Sequence, residues 1–345
     1  TTTTTAVEGL QTNVATVTGT GAGIDVSDED AANYTGVLSV GPKFFVVDQG
    51  NDSSWQYSAA GAGMGSFKLQ SGNTDPRDVA ANADGSMLWV LDKDKNVNVY
   101  KADGSALGVW KADGLGKEPE GLALDGDDLW FADRDRKIHW DDGAATNTSG
   151  TDKVDKTFTP AMSGNLKGIV TDGSHLWAVT EGGTDYVYRF SIGRDNSGNP
   201  TGLTQVGRWT LPAANGKPTG ITLDPTGASQ SLWVVDESSD SVYEYVDGRS
   251  LTSGTPVSGN VITFKLDASN GAPQGIADPL SGVAAADLVA ASPFDGLQLD
   301  ALLASTGPAA SGAMGPVKLP TMADLLGSET LDGALGGSAT PAWNV

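Results

Sequence analysis

Short apolar runs alternate along the chain with clusters of Gly, Asp, Asn and Ser. The runs are rich in β-branched and aromatic residues, which favour strands, and the clusters are typical of turns. One pattern recurs: Pro-x-Gly-aliphatic, then Asp and Gly, then Leu-Trp-aliphatic-aliphatic-Asp, then Val-x-x-Tyr. Its clearest copies run from Pro218 to Tyr245 and from Pro119 to Trp140.

The repeat unit is about 42 to 55 residues long, a length typical of repeat architectures. Each unit contains three or four predicted strands, and no helical period separates the units. This excludes a doubly wound α/β fold and predicts an all-β propeller whose blades are single units. The units begin near residues 35, 76, 119, 167, 218 and 273.

Six starts predict a six-bladed propeller within residues 1–280. The last start, at Pro273, does not continue, whereas the segment Asn13–Thr18 alternates polar and apolar residues before the first unit. An open array would leave unpaired strand edges. We therefore expect the N-terminal segment, about residues 10–34, to complete the blade that begins at Gly275.

A separate C-terminal extension is predicted for residues 281–345, where Ala, Leu, Gly, Ser and Pro dominate and Lys318 is the only basic residue. Capping residues predict two short helices, from Ser292 to about Ser305 and from Thr321 to about Gly327. Such short helices need a surface to cover. The extension either folds back on its own propeller or docks on a partner or a neighbouring copy. Its candidate docking residues are Leu297, Leu302, Leu303, Leu325 and Leu326.

The charge balance narrows the classes of partner. Lys plus Arg total 21 against 43 Asp plus Glu, a net charge of −22. Such a surface repels phosphate backbones and anionic headgroups, so nucleic-acid and membrane-surface binding are not expected. Acidity also serves solubility, and it suits cationic partners or divalent ions.

Three features bear on location. There is no cysteine, which excludes disulfides and thiolate chemistry. No run of 18 apolar residues is present that could span a bilayer. Thr1–Thr5 is not a signal peptide, so either a leader has already been removed, as an extracellular location implies, or the chain is a fragment.

Two positions recur in the repeat, one aromatic and one acidic, and each has a simple structural interpretation. Equivalent aromatic residues in equivalent strands predict packing between blades. An Asp at the end of a strand predicts capping of the following turn, which a Thr can do more weakly. The aromatic residues are Phe45, Trp89, Trp130, Trp177 and Trp233, and the capping residues are Asp48, Asp92, Asp133, Thr180 and Asp236.

The repeat resembles the NHL-repeat and SMP-30/gluconolactonase-like propellers over about residues 35–279. This resemblance implies that residues just before the repeat glycine line the central channel. In SMP-30-like enzymes a Glu, an Asn and an Asp at such positions hold a divalent metal. Glu120 could supply the Glu, but Thr219 replaces the Asn, and Arg77 and Lys167 would oppose a metal. Salt bridges with Glu120 are the alternative. The channel-rim candidates are Thr35, Arg77, Glu120, Lys167, Thr219 and Gln274.

Other chemistry is sparsely supported. His139 and His175 are the two histidines, and no Gly-x-Ser-x-Gly motif accompanies them. No cofactor is expected to be required. Asp125, Asp127 and Asp128 could bind calcium, although they do not fit an EF-hand.

The preferred hypothesis is an extracellular, non-enzymatic interaction and assembly module. A metal-dependent SMP-30-like hydrolase or lactonase is the alternative. A glycan-binding propeller, using Trp55 or Trp209, is a further one.

Overall fold

The computed structural model describes two strands within residues 1–40 and the whole of residues 41–279. The two strands, β1 (Gly9–Gly21) and β2 (Ile24–Gly36), form an antiparallel hairpin. The C-terminal extension and its five leucines lie outside the described residues. None of the described residues forms a helix long and apolar enough to cross a membrane.

The remaining strands form five sheets, each with an inner strand beside a central axis. Blade 1 comprises β23-β3-β4-β5, blade 2 β6-β7-β8-β9-β13, blade 3 β10-β11-β12-β14, blade 4 β15 to β18, and blade 5 β19 to β22. The bounds are β3 (Phe44–Asp48), β4 (Ser53–Tyr57), β5 (Gly63–Lys68), β6 (Pro76–Ala81), β7 (Met87–Asp92), β8 (Asn96–Lys101), β9 (Ala106–Asp113), β10 (Pro119–Asp125), β11 (Asp128–Asp133), β12 (Ile138–Asp141), β13 (Thr151–Lys153), β14 (Lys156–Phe158), β15 (Asn165–Thr171), β16 (His175–Glu181), β17 (Tyr186–Arg194), β18 (Pro200–Thr210), β19 (Pro218–Leu223), β20 (Leu232–Asp236), β21 (Ser241–Tyr245), β22 (Val261–Lys265) and β23 (Pro273–Ala277).

The propeller has five blades, so the prediction of six was wrong. The first and last sequence units are parts of one blade, because β23 pairs antiparallel with β3 and so supplies the inner strand of blade 1. The expected closure by residues 10–34 was also wrong, since β1 and β2 pair with each other. Thr35 therefore lies in β2, opposite Leu10, rather than in an inner strand.

Packing between blades follows the repeat. The recurring aromatic residues are buried, from Phe45 and Trp130 at 0% exposed to Trp233 at 6%, as predicted. Apolar clusters join residues of successive blades, for example Trp89 of blade 2 with Phe131 of blade 3. Burying such rings contributes about 1.5–3 kcal/mol each, and it fixes each blade against its neighbours.

Three of the four recurring aspartates, Asp48, Asp92 and Asp236, cap the following turn, as predicted, and also bind a second loop. Asp236 accepts hydrogen bonds from the N–H of Ser239 at 2.7 Å and from that of Lys217, just before the inner strand, at 2.6 Å. Asp48 and Asp92 make the same pair of contacts in their blades. Asp133 does not cap its turn: one carboxylate oxygen has no partner among the described residues, and the other accepts from the N–H of Gly116 and contacts His139. The Thr180 hydroxyl is buried without a hydrogen-bond partner among the described residues, so the expected Thr cap is not formed.

Two long connections cross to a neighbouring blade. The connection after β12 places β13 parallel to β9, the outer strand of blade 2. The connection after β21 runs beside β18 of blade 4, where Arg208 and Thr210 donate backbone hydrogen bonds to Thr252 and Gly254 at 3.0 and 2.8 Å. The outer edges of blades 2 and 4 are therefore covered by segments of blades 3 and 5.

Candidate functional site

A β-bulge near the start of each inner strand changes the direction in which one side chain points. The register between inner and second strands shifts at Arg77, Glu120, Thr219 and Gln274, and over residues 167–168 in β15. A bulged residue leaves the ladder and its side chain is redirected. Five of the six predicted rim residues thus share one structural position around the channel, and Thr35 is the exception.

Salt bridges occupy one side of this rim, which was the alternative raised for Glu120. The Lys167 ammonium lies 3.5 Å from Glu120 and 3.6 Å from Glu181, and the Arg77 guanidinium lies 3.9 Å from Glu120. Arg77 also pairs with Asp75 at 2.9 Å. Burial raises the pKa of Glu120, and the charges of Lys167 and Arg77 oppose that rise. The charges on this side largely neutralise one another.

On the other side of the rim the two rim residues, Thr219 and Gln274, are uncharged and make hydrogen bonds. The Thr219 hydroxyl donates to the Pro273 carbonyl at 2.9 Å. The Gln274 amide donates to Glu237 at 3.3 Å, and Glu237 pairs with Lys217 at 2.8 Å. Thr219 and Gln274 are 3% and 4% exposed. Both polar side chains therefore already have partners within the protein.

The rim does not fit a divalent metal. Two cationic groups lie within 4 Å of Glu120, and like charge would repel a metal ion there. No group of three or more His, Asp or Glu residues that could hold a metal occurs among the described residues. The ligand set implied by the SMP-30 resemblance is therefore not assembled around Glu120.

The channel narrows directly behind the rim. A Cβ added to Gly168 would lie 2.8 Å from the Cα of Gly220, and one added to Gly220 would lie 2.8 Å from the Cα of Gly275. Neighbouring inner strands therefore touch backbone to backbone, which explains the glycine of the repeat. In blade 2 the same position is Asp78.

Asp78 ties three blades together at this constriction. Its carboxylate accepts hydrogen bonds from the N–H groups of Val79 at 2.9 Å and Leu122 at 2.8 Å, and from that of Ile276. Complete burial raises the pKa of Asp78 well above its ordinary value, although these hydrogen bonds oppose the rise. Beyond it is a cavity of about 60 Å³, room for a few water molecules at most.

A buried ion pair lies at the far end of the cavity. Lys43 and Asp278 are 2.7 Å apart, and Lys43 is also 4.0 Å from Asp224. Burial raises the pKa of Asp278 to about 8, against the opposing charge of Lys43. The Lys43 ammonium also lies 5.2 Å from the ring centre of Trp233, a cation–π contact that further fixes it.

The three aspartates predicted as calcium ligands each bind a different group of the protein. Asp125 pairs with Arg194 and accepts a hydrogen bond from the Trp130 indole at 3.1 Å. Asp128 accepts one from the N–H of Gly143 at 2.9 Å, and the Asp127 carbonyl accepts one from Ala145. These three residues do not form a common ligand set, and calcium binding stays a prediction.

The two histidines are held in hydrogen-bond networks. His139 is 2% exposed and contacts Asp133 at 2.8 Å and the exposed Thr157 hydroxyl at 2.9 Å. Thr157, His139 and Asp133 are thus arranged in the order of the nucleophile, base and acid of a catalytic triad. The His139 ring and the Asp133 carboxylate are buried, and Thr157 is the only exposed residue of the three. His175 lies 3.2 Å from Arg189, and burial together with that charge lowers its pKa.

Sequence reasoning missed an acidic cluster where the blade 3 connection leaves β12. Asp141 is 1% exposed, and one of its carboxylate oxygens has no hydrogen-bond partner among the described residues. Burial raises its pKa to about 7, with further contributions from neighbouring carboxylates. The sequence analysis names only Asp128 among them: Asp142 is next in the chain, and folding brings Asp152 and Asp155 to Asp141 from the far end of the connection. The neighbouring carboxylates are those of Asp152, Asp155, Asp142 and Asp128.

Exposed apolar side chains lie at the circumference of the propeller and not at the channel rim. Five of the six large exposed apolar residues among those described lie on the outer strands β5, β9, β18 and β22 of blades 1, 2, 4 and 5, at the circumference. Trp209, proposed for glycan stacking, is 1% exposed, and Trp55 is half-buried against the core. The exposed residues are Met64, Leu107, Val109, Val206 and Ile262 on strands and Val257 on a loop.

Comparisons with known proteins add little beyond this geometry. No model of a protein family matches the chain, and no curated protein matches it. Among solved structures, a humanised mutant of Polycomb Repressive Complex 2 from Chaetomium thermophilum matches with a TM-score of 0.40 and 9% identity, over 59% of this chain and 52% of that chain. A provisionally named 6-phosphogluconolactonase from Bacteroides fragilis matches with a TM-score of 0.38 and 16% identity, over 65% and 66%.

This chain thus matches between about half and two thirds of those chains. Likenesses at this level carry no argument about function. The propeller architecture is established by the strand order of the protein itself, and the resemblance to NHL-repeat and SMP-30-like proteins stays a hypothesis.

Proposed function

We propose that this protein is a non-enzymatic propeller that binds other proteins and serves as an assembly module. The observation that carries the proposal is the distribution of exposed apolar residues along the outer strands. Isolated exposed apolar residues are ordinary, but their concentration on the outer strands favours an interaction surface. The circumference, rather than the channel, is the proposed binding region.

The state of the channel supports this proposal. Propeller ligands usually need free polar groups at the mouth and space behind them. Here Glu120 and Lys167 pair with each other and are 5% and 9% exposed, and the cavity behind them holds only about 60 Å³. A larger cleft of about 620 Å³ near blade 3 is lined by paired charges, such as Arg134 with Glu118 at 3.0 Å. Neither region offers a concave apolar site.

The proposed extracellular location and the role of residues 281–345 in docking rest on composition alone. Both stay predictions. The location is tested by fractionation of the producing cells with an antibody against the propeller.

A photo-crosslinking experiment tests the proposed surface. A photoreactive amino acid replaces Val206 on an outer strand, which is 43% exposed, or, as a control, Lys217 near the rim, which is half-buried. In extracts of the producing cells we expect protein adducts from the first position and not from the second. Adducts confined to position 217 would overturn the proposal, as would metal-dependent lactone hydrolysis that Glu120→Gln abolishes.

A further inference from the structure

The outer edges of the blades fall into two groups. The edges of β9 and β18 are covered by crossing segments, whereas β5, β14 and β22 have no backbone partner on their outer side among the described residues. The difference follows from loop length. The connections at 142–155 and 246–260 are long enough to reach a neighbouring blade, and those at 58–62 and 102–105 are tight turns.

Among the three uncovered edges, β22 alone is a regular strand suited to pairing. β14 has only three residues. β5 contains Gly65 at a φ of +125° and a register shift, and such irregularity discourages pairing. β22 reads Val-Ile-Thr-Phe-Lys, which is β-branched and aromatic with a single charge, a composition that favours strand association.

The hydrogen-bond alternation shows which groups of β22 are available. The Val246 N–H donates to Asn260, and the Leu266 N–H donates to Asp240. Because bonding direction alternates along an antiparallel ladder, residues 260, 262, 264 and 266 bond inward to β21. Val261, Thr263 and Lys265 therefore direct their N–H and C=O groups outward.

We propose that a second copy of this chain occupies this edge, with the two β22 strands pairing antiparallel across a two-fold axis at Thr263. In this register every outward-bonding residue faces another, Val261 against Lys265 and Thr263 against its own copy. This allows up to about six backbone hydrogen bonds. The pairing is self-complementary, as a two-fold interface requires.

The side chains fit the same register. Ile262 of one copy lies opposite Phe264 of the other, which makes an apolar cross-strand pair on each side of the axis. Ile262 is 55% exposed in the single chain, and Phe264 is fixed by stacking on Phe44 at 5.7 Å. The Lys265 side chain bonds to the Ser239 carbonyl of its own blade and so leaves the edge free of competing charge.

Net charge opposes this association. Two copies of charge −22 repel each other, and salt screens that repulsion over about 10 Å at 0.1 M. The dimer should therefore tighten as salt is added, whereas an interface held by salt bridges would loosen. This inference deepens the proposed assembly function and rests on it.

Sedimentation velocity and light scattering on the full chain test the inference. We expect a mass rising with concentration from 35.3 kDa towards twice that value, and a dissociation constant lower at high than at low NaCl. Ile262→Lys should raise that constant at least tenfold, because it places a charge opposite Phe264. Thr263→Pro should do the same by removing the central outward N–H, which bonds to nothing within its own blade.

The matched control is Val109→Lys, also at an exposed apolar residue of an outer strand (43%), but beside a covered edge. It should dimerise like the parent chain. Thermal midpoints and near-ultraviolet circular dichroism establish that each variant is folded. A parent chain that stays monomeric at every concentration and salt, or a dimer unaffected by Ile262→Lys and Thr263→Pro, would overturn the inference. Crosslinking to other proteins at position 206 would in either case leave the proposed function intact.

Discussion

Replacing Asp141 with Asn should stabilise the propeller relative to the parent chain, and this gain should be larger at neutral pH than at acidic pH. The pKa of Asp141 is raised from 3.8 to about 7 by burial and by the neighbouring carboxylates. Between these values the unfolded chain releases the proton while the folded protein keeps it. Because the folded state then binds more protons, the free energy of unfolding falls as pH rises through this window.

The size of the effect follows from that shift. At 1.36 kcal/mol per pKa unit, the rise corresponds to an upper bound of about 4 kcal/mol, acquired between pH 4 and 7 and constant above. Relaxation and solvent access reduce it, so we expect Asp141→Asn to gain about 1 to 4 kcal/mol relative to the parent over that range. Asn does not ionise, so the variant lacks this contribution.

Urea denaturation followed by tryptophan fluorescence at several pH values from 4 to 8 measures the difference. Comparing variant with parent isolates Asp141 from Asp278 and Asp78, which also have raised pKa values. Asp103→Asn is the control: hydrogen bonds from Ser105 lower the pKa of Asp103 below its ordinary 3.8, so its stability relative to the parent should be nearly constant from pH 5 to 8. A stability difference between Asp141→Asn and the parent that does not change with pH would refute the reasoning.

Three further outcomes are expected. Gly220→Ala should cost about 1 to 3 kcal/mol in urea denaturation, because its Cβ would lie 2.8 Å from a backbone Cα of blade 1, whereas Gly183→Ala, with no atom within 4 Å, should not. Glu120→Gln should destabilise the protein by about 1 to 3 kcal/mol and so lower its thermal midpoint, because it leaves Lys167 and Arg77 with fewer partners. An unchanged midpoint would contradict this. Manganese should shift the midpoints of the parent and Glu120→Gln equally, since no metal site is assembled at the rim; a shift confined to the parent would reveal one.

The local features of the fold were predictable because the residues that determine them lie within a single repeat unit. The buried tryptophans and the turn caps at Asp48, Asp92 and Asp236 follow from strand periodicity and turn residues within one unit. Thr180 was an exception. Its hydroxyl was expected to replace a capping carboxylate, but the shorter side chain finds no partner among the described residues.

The rim was predictable in position but not in chemistry. The residue before the repeat glycine was expected at the channel, and the bulges place it there. Whether Glu120 would bind a metal or a cation depended on the side chains opposite it, which come from blades 2 and 4. Distances between blades are a tertiary property, so the pairing of Glu120 with Lys167 required the structure.

Strand and turn preferences act over a few residues, so the sequence alone predicts an all-β propeller with blades of about 42 to 55 residues. The structure was needed to show that there are five blades, that β23 closes blade 1, and that β22 keeps an uncovered edge among the described residues. Those outcomes depend on which strand ends meet when the ring closes and on how far each connection reaches. No local pattern records either, because both are set by packing between units distant in the chain.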